Sequence, residues 1–298
     1  MRMDQVDFKP ASPHLLSSWN LIGAMVAAFR SHMPHAGYRR LVASLFPQTP
    51  GPAPAVTRAT SQTATVLKST ALTHAEEERY PRAFVLTTNI DNYFEASGVP
   101  TASLLEAHGT VEYLQCTSVG TSQPCEYAGN VWPFDAAAAE KLAVASLPSS
   151  SSAKKGANCC RQTNESPGSN GNPNTPHAID HLPRCRCGAL ARPNVSHSTD
   201  SDDDICLSRK AAQYAAMRSW LVHEHQIKSE LVVLEIGCGT SPHALRRDSE
   251  IIVAKHRGRG GKASLIRVDP GNAAVPHGGG CVGVALGARE ALLKLFPA

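Results

Sequence analysis

Three side chains suited to binding and acid–base chemistry lie close together in the early part of the sequence: Asn89, Asp91 and His108. Asparagine offers an amide and aspartate a carboxylate, and histidine titrates near neutral pH without special surroundings. The apolar run Phe84–Leu86 directly precedes the polar residues and predicts a short buried strand. Ligands in open α/β sheets bind beyond the carboxyl ends of the strands. We therefore expect these side chains to line a cleft at the end of this strand.

The segment between Asp91 and His108 must return the chain to the same place. Leu104, Leu105 and Ala107 suit a short helix that Thr101 would cap. A strand, a short helix and a returning segment would then bring the histidine back beside the amide and the carboxylate.

These residues also carry a resemblance to a known family. The run Thr87-Thr88-Asn89-Ile90-Asp91 followed by His108-Gly109-Thr110 resembles the sirtuin pattern Thr-Gln-Asn-Ile-Asp followed by His-Gly-Ser, with Thr88 in place of the usual Gln. The resemblance extends over roughly residues 15 to 298. Sirtuins are NAD-dependent protein deacylases, so the resemblance implies an α/β fold with a Rossmann-like parallel sheet and a small inserted zinc-ribbon-like module. It also implies NAD as cofactor and an acylated-lysine protein or peptide as substrate.

The resemblance assigns roles to the early residues. It implies that His108 is the general base of acyl transfer, and that Asn89 and Asp91 hold nicotinamide and its ribose. Thr88 would contact the same cofactor. A base whose pKa is near the working pH suits this step.

Two departures from the family bear on activity. Sirtuins begin with a Gly-Ala-Gly-x-Ser loop that holds the pyrophosphate, and nothing before Trp19 supplies one. The chain is therefore either truncated or has lost ordinary NAD binding. After Val195, where sirtuins have an extended segment that pairs with the substrate peptide, the acidic and polar run 196–204 follows.

Nine cysteines without a secretion signal indicate an intracellular, reducing compartment, either cytoplasm or nucleus, in which metal binding is more common than disulfides. Sirtuins hold one structural zinc with two cysteine pairs. At the corresponding positions this chain has Cys116 with Cys125, and Cys185 with Cys187. The Cys-x-Cys spacing of the second pair is one residue short of the family pattern. Four thiolates suit zinc, so we predict a structural zinc site here. Cys159-Cys160 is interpreted as incidental.

A second strand-and-turn motif occurs late in the chain. The apolar run Leu231–Ile236 predicts a buried strand, and the small residues of Gly237–Ser241 follow it. The resemblance implies that Gly239, Thr240 and Ser241 contact NAD. It further implies that Asp269, which ends the strand predicted over 265–268, replaces an asparagine that reaches the ribose.

The same late motif also resembles the S-adenosylmethionine loop of class I methyltransferases. Such an enzyme would begin its sheet at this motif, and it would leave the earlier polar residues and the cysteines unexplained. Three hypotheses therefore stand in order: a sirtuin-like deacylase, a catalytically inactive sirtuin-like binding module, and a methyltransferase.

The remaining predictions concern the domain boundaries, the inserts and the charge of the chain. The domains predicted are 1–115, the first part of the nucleotide-binding domain; 116–192, the zinc module with a low-complexity insert at 148–178; and 193–298, the second part. A further flexible insertion is predicted over 48–64, and helices are predicted around Trp19–Phe29 and after Pro34. The net charge of +4 is mild and scattered, so it gives no specific signature of nucleic-acid binding. No apolar run is long enough to cross a bilayer.

Overall fold

The computed structural model describes residues 6–47, 81–118, 125–127, 129–145, 179–197, 200, 205–240 and 244–297. Helices in these ranges are α1 (Leu15–Ser31), α2 (Ala36–Leu45), α3 (Tyr93–Ala96), α4 (Ala136–Ala145), α5 (Ser208–Ile227), α6 (Ala244–Gly258) and α7 (Ala288–Leu295). Strands are β1 (Val85–Thr87), β2 (Leu104–Glu106), β3 (Gly109–Cys116), β4 (Val131–Pro133), β5 (Ala191–Val195), β6 (Glu230–Ile236), β7 (Lys262–Val268) and β8 (Cys281–Val284).

The chain divides into two compact units made of interleaved segments. The first comprises Met1–Met33, Thr87–Asn92 and Glu106–Ala212, and the second comprises Pro34–Leu86, Tyr93–Leu105 and Gln213–Ala298. The two units are defined by which residues lie close together in space. The three domains predicted from the sequence stay a prediction.

The first unit is built around an antiparallel sheet in the order β4-β3-β5. The helix predicted around Trp19 is confirmed as α1, which packs against α4 and β3. Trp19, Ile22 and Val26 recur at helical spacing and are fully buried. Their core extends to Val111 and Leu114 of β3. This core fixes the strand whose two ends carry the candidate site residues.

The second unit contains a parallel sheet in the order β6-β7-β8. Helix α6 packs on β6 and β7, and the core on that face includes Leu231, Val253 and Leu265. The strand predicted over Leu231–Ile236 is therefore confirmed as β6. It is not buried along its whole length, because the side chain of Val232 is 55% exposed.

The early strand and the segment after it differ from the prediction in detail. The predicted strand is present as β1, shifted by one residue, and Leu86 in its middle is exposed. The predicted helix through Leu104 is wrong: a single 3₁₀ turn over Thr101–Ser103 leads into β2, which pairs with β1. Leu104 and Leu105 are both buried as strand residues, so pairing with β1 outweighs their helical propensity.

The structure thus confirms a mixed α/β chain that contains parallel strands. The insertions predicted at 48–64 and 148–178, and Cys159-Cys160, lie outside the described residues. Within the ranges described above, no helix is both long enough and apolar enough to cross a bilayer.

Candidate functional site

A short polar segment after β1 is held against the start of β3 by backbone hydrogen bonds. The Ala107 N–H donates to the Thr87 carbonyl over 2.8 Å, and the Val111 N–H donates to the Ile90 carbonyl over 3.1 Å. The Thr110 hydroxyl donates to the same Ile90 carbonyl over 3.1 Å. These bonds join the two segments that carry the asparagine, the aspartate and the histidine.

The same two segments line a cavity of about 400 Å³ in the first unit. The residues that line it are Phe29, Thr88, Asn89, Ile90, Asp91, His108, Val195, Ser196 and His197. Four of these were singled out in the sequence as catalytic or cofactor-binding. The structure therefore brings the predicted amide, carboxylate and imidazole to one cavity of a size that holds a small molecule.

The end of β5 and the two residues after it also line the cavity. Gly109 pairs with Val195, and the Ser196 N–H donates to the His108 carbonyl over 2.9 Å. Gly109 has a φ of +76°, and a Cβ on it would lie 2.0 Å from the carbonyl oxygen of Asn194. Only glycine fits this crossing of the two strands, so the His-Gly pair of the sequence positions the imidazole beside β5.

The four predicted zinc ligands form a cluster at the other end of β3. Cys116 ends that strand, and Cys185 and Cys187 lie in a turn in which the Gly188 N–H donates to the Cys185 carbonyl over 2.9 Å. The Sγ atoms of the four cysteines, Cys125 included, all lie within 4.8 Å of one another. The Cys-x-Cys turn therefore presents both thiols to the same point despite its short spacing.

The donor set and its spacing fit a tetrahedral thiolate site. The Cys116–Cys187 and Cys125–Cys185 Sγ distances are 3.7 and 3.8 Å. Zinc bound by four sulfurs at about 2.3 Å would separate those sulfurs by about 3.8 Å. The seven cysteines that the structure describes are all free of disulfides. The geometry and the chemistry of this cluster therefore suit a bound metal ion.

The thiols of the cluster differ in acidity. Burial raises the pKa of Cys185 to about 12 and also raises the pKa of Cys116. Burial opposes ionisation of Cys125 too, but hydrogen bonds from Ser118 and Cys116 outweigh it and lower the pKa of Cys125 to about 7. Metal binding to such a cluster must displace protons from the buried thiols.

In the second unit, the Asp269 carboxylate accepts a hydrogen bond from the backbone of the late glycine turn. One carboxylate oxygen accepts the Gly271 and Asn272 N–H groups over 2.9 and 2.7 Å, and the other accepts the Gly239 N–H over 3.3 Å. These backbone donors, Gly271 first, lower the pKa of Asp269. Asp269 therefore joins two loops at the ends of neighbouring strands, a structural task that the sequence did not indicate.

The described residues leave space beside the two glycines of this turn. Gly237 and Gly239 have φ values of +63° and +55°, and a Cβ on either would meet no described atom within 4 Å. Thr240 follows the turn, while Ser241 lies outside the described residues. Arg246 donates to the carbonyls of Gly239, Asn272 and Ala274, so its guanidinium is occupied by the loops. The prediction that this turn and the cavity of the first unit serve one ligand stays a prediction.

The sequence does not single out the other five residues that line the cavity, among them Phe29, Ser196 and His197. The spacing of Phe29 predicts only an apolar residue of α1. Ser196 and His197 lie in the run whose composition predicts an acidic and polar loop. A histidine two residues after a strand does not by itself indicate a site. His197 is recognised as a cavity residue only when the pairing of β5 with β3 is known.

No known family of proteins matches the sequence, and no characterised protein matches it.

Proposed function

We propose that this chain is a sirtuin-like, NAD-dependent protein-lysine deacylase that transfers the acyl group of a lysine to ADP-ribose with release of nicotinamide. One observation carries the proposal: Asn89, Asp91 and His108, which match the family motif in order and spacing, line a single cavity. The finer fold that goes with it is a Rossmann-like nucleotide-binding domain with an inserted zinc module.

The residues of the cavity have complementary tasks in this reaction. His108 accepts a proton from a ribose hydroxyl, because an imidazole is the usual general base near neutral pH. Asn89 and Asp91 hold the nicotinamide and ribose ends by hydrogen bonds, and Thr88 adds a hydroxyl to the same wall. Bound NAD supplies the activated ribose that receives the acyl group.

The four-cysteine cluster would hold a structural Zn²⁺ in this protein. Its ligands are Cys116, Cys125, Cys185 and Cys187, and the ion links the end of β3 to the turn before β5. Because β3 and β5 also carry His108 and Val195 at their other ends, zinc would stabilise the strands that frame the cavity. Four thiolates leave no open coordination position, so the ion takes no part in the chemistry. Retention of free thiols suits a reducing compartment of the cell.

A methyltransferase is an alternative candidate, and one observation favours it. β6, the glycine turn, α6 and β7 follow in order, and Asp269 after β7 is bonded to Gly239 of the turn. A nucleoside that binds over a strand, a glycine turn and an acidic residue fits either family. The cavity around His108 and the cysteine cluster have no role in a methyltransferase, so we rank it below the deacylase. An inactive sirtuin-like binding module is the other alternative.

Two measurements separate these candidates. Isothermal titration with NAD and with S-adenosylmethionine identifies the nucleoside, and nicotinamide release from NAD with an acetyl-lysine peptide identifies the reaction. We expect NAD binding, peptide-dependent release, and loss of release in His108→Ala. His14→Ala is the matched control, because His14 is exposed and, among the described residues, only its backbone makes hydrogen bonds.

Three other results would contradict the proposed function or the role of His108. Binding of S-adenosylmethionine without NAD would favour the methyltransferase. NAD binding without nicotinamide release would favour the inactive module. Release that persists unchanged in His108→Ala would remove this histidine from the mechanism.

A further inference from the structure

His197 lies two residues beyond the end of β5 and lines the same cavity as His108. Its backbone is fixed on both sides. The Ser196 N–H donates to the His108 carbonyl over 2.9 Å, and the His197 N–H donates to an Asp200 carboxylate oxygen over 2.8 Å. Arg192 holds that carboxylate with two hydrogen bonds of 2.9 and 2.7 Å. The imidazole is therefore held in place as part of the cavity wall.

The side chain of His197 has hydrogen-bonding capacity that the described residues leave unused. Its Nε2 is shielded from solvent and has no hydrogen-bond partner among them. Buried polar atoms of this kind are uncommon in folded proteins and call for a reason. Burial lowers the pKa of His197, opposed by Asp200 and assisted by Arg192, so the ring is neutral at pH 7. The ring also packs against Phe8, with the two ring centroids 5.7 Å apart.

The charge of the cavity limits what this imidazole can bind. Among the described residues that line the cavity, Asp91 is acidic and no lysine or arginine is present. A ligand carboxylate would be repelled by Asp91 and would find no cation to neutralise it. A neutral imidazole offers one donor and one acceptor, and a hydroxyl can serve as the partner of either. An uncharged hydroxyl is therefore a ligand group that this imidazole can bind as either donor or acceptor, without a counter-charge.

We propose that His197 contacts the substrate and makes the site selective for acyl groups that carry a hydroxyl over hydrocarbon acyl groups of the same length. This inference rests on the proposed deacylase function and names the substrate class of that same cavity. His197 is a specificity-determining residue in this scheme, while His108 remains the base.

The test compares three peptides that differ only in the acyl group on one lysine: butyryl, 3-hydroxybutyryl and succinyl. We expect wild-type kcat/KM for 3-hydroxybutyryl to exceed that for butyryl by about tenfold, the value of one well-formed hydrogen bond. Succinyl should be the poorest of the three because it brings a second carboxylate beside Asp91. His197→Phe should reduce the hydroxybutyryl-to-butyryl ratio to about one, whereas His197→Gln, which places an amide near the position of Nε2, should retain part of it.

Failure of this inference is distinct from failure of the proposed function. Turnover of the peptides with the same ratio in wild type and His197→Phe would overturn the role of His197 and leave the deacylase in place. If no peptide is turned over, the deacylase proposal fails, and calorimetric binding of the same peptides then decides the selectivity: equal affinities overturn it. If circular dichroism shows that His197→Phe does not fold, the ratios in wild type and His197→Gln decide alone. A wild-type ratio near one overturns the inference in that case.

Discussion

The Sγ atoms of Cys125 and Cys185 lie 3.8 Å apart, although 60 residues separate the two cysteines in the chain. The Cys116 and Cys187 Sγ atoms show the same relationship over 71 residues, at 3.7 Å. Both distances equal, to within about 0.1 Å, the sulfur separation of a tetrahedral zinc–thiolate site. The fold therefore holds the four thiols at the spacing that a zinc ion would need, and we expect binding to require the loss of protons more than movement of the chain.

We expect the purified protein to bind one zinc per chain and Cys187→Ser to lose it. Cys187 is exposed, so the substitution tests the ligand with little effect on packing. Outer-shell changes alone lower metal affinity about 10–100-fold, so loss of a ligand should lower it by more than about 100-fold. Competition with a chromophoric chelator measures the affinity. Cys281→Ser is the control, because Cys281 lies outside the cluster and should bind zinc as wild type does. Unchanged affinity in Cys187→Ser would exclude the four-thiolate site.

Zinc affinity should rise with pH between about 6 and 8. Burial raises the pKa of Cys185 to about 12 and also raises that of Cys116, so both thiols are protonated in this range without metal. Zinc binds thiolates, so both protons must leave when it binds, and a higher pH removes their competition. Calorimetry in buffers with different ionisation enthalpies counts the protons released. A binding enthalpy that does not vary with the buffer would contradict this prediction.

Gly109→Ala should destabilise the protein by about 2–4 kcal/mol. Alanine would have to adopt a positive φ, and its Cβ would meet the Asn194 carbonyl oxygen at 2.0 Å, so the two strands must separate. Urea denaturation measures the change. Gly258→Ala is the control, because no described atom lies within 4 Å of a Cβ at that position and its φ is not positive. Equal stability of the two variants would mean that the backbones of β3 and β5 do not approach each other closely at Gly109.

Removing Glu235 should destabilise the second unit. Its carboxylate accepts two hydrogen bonds of 2.6 and 3.0 Å from Arg267 on the neighbouring strand, and both side chains are 2% exposed. Glu235→Ala leaves a buried guanidinium without its main partner and should cost about 3–5 kcal/mol. Replacing both residues by methionine should cost less than the sum of the single changes.

An exposed ion pair supplies the matched control for this prediction. Glu290 and Lys294 lie four residues apart on α7 and are 56% and 64% exposed. Glu290→Ala should change the free energy of unfolding by no more than about 0.5 kcal/mol. Chemical denaturation measures the free energy of unfolding of each variant. Equal losses for Glu235→Ala and Glu290→Ala would show that the buried ion pair stabilises the protein no more than the exposed one.

The amino-acid sequence by itself determined the local elements and the chemical groups of this protein. The spacing of Trp19, Ile22 and Val26 gives the helix α1, since one face of it is apolar. The apolar run before Thr87 gives β1, because a short apolar segment that ends in polar residues suits a strand end. The cysteine pairs are visible as donors in the sequence, because thiolate chemistry depends on residue type more than on conformation.

Only the tertiary structure decided which distant groups meet. Leu104 and Leu105 become a strand because β1 offers hydrogen bonds along its edge, a contact that no local pattern encodes. His197 enters the cavity because β5 pairs with β3 in a particular register. Asp269 is committed to the Gly239 turn because parallel strands bring both loops to one end of the sheet. Register and pairing are long-range properties, so they follow from the packing of the whole chain and not from any stretch of it.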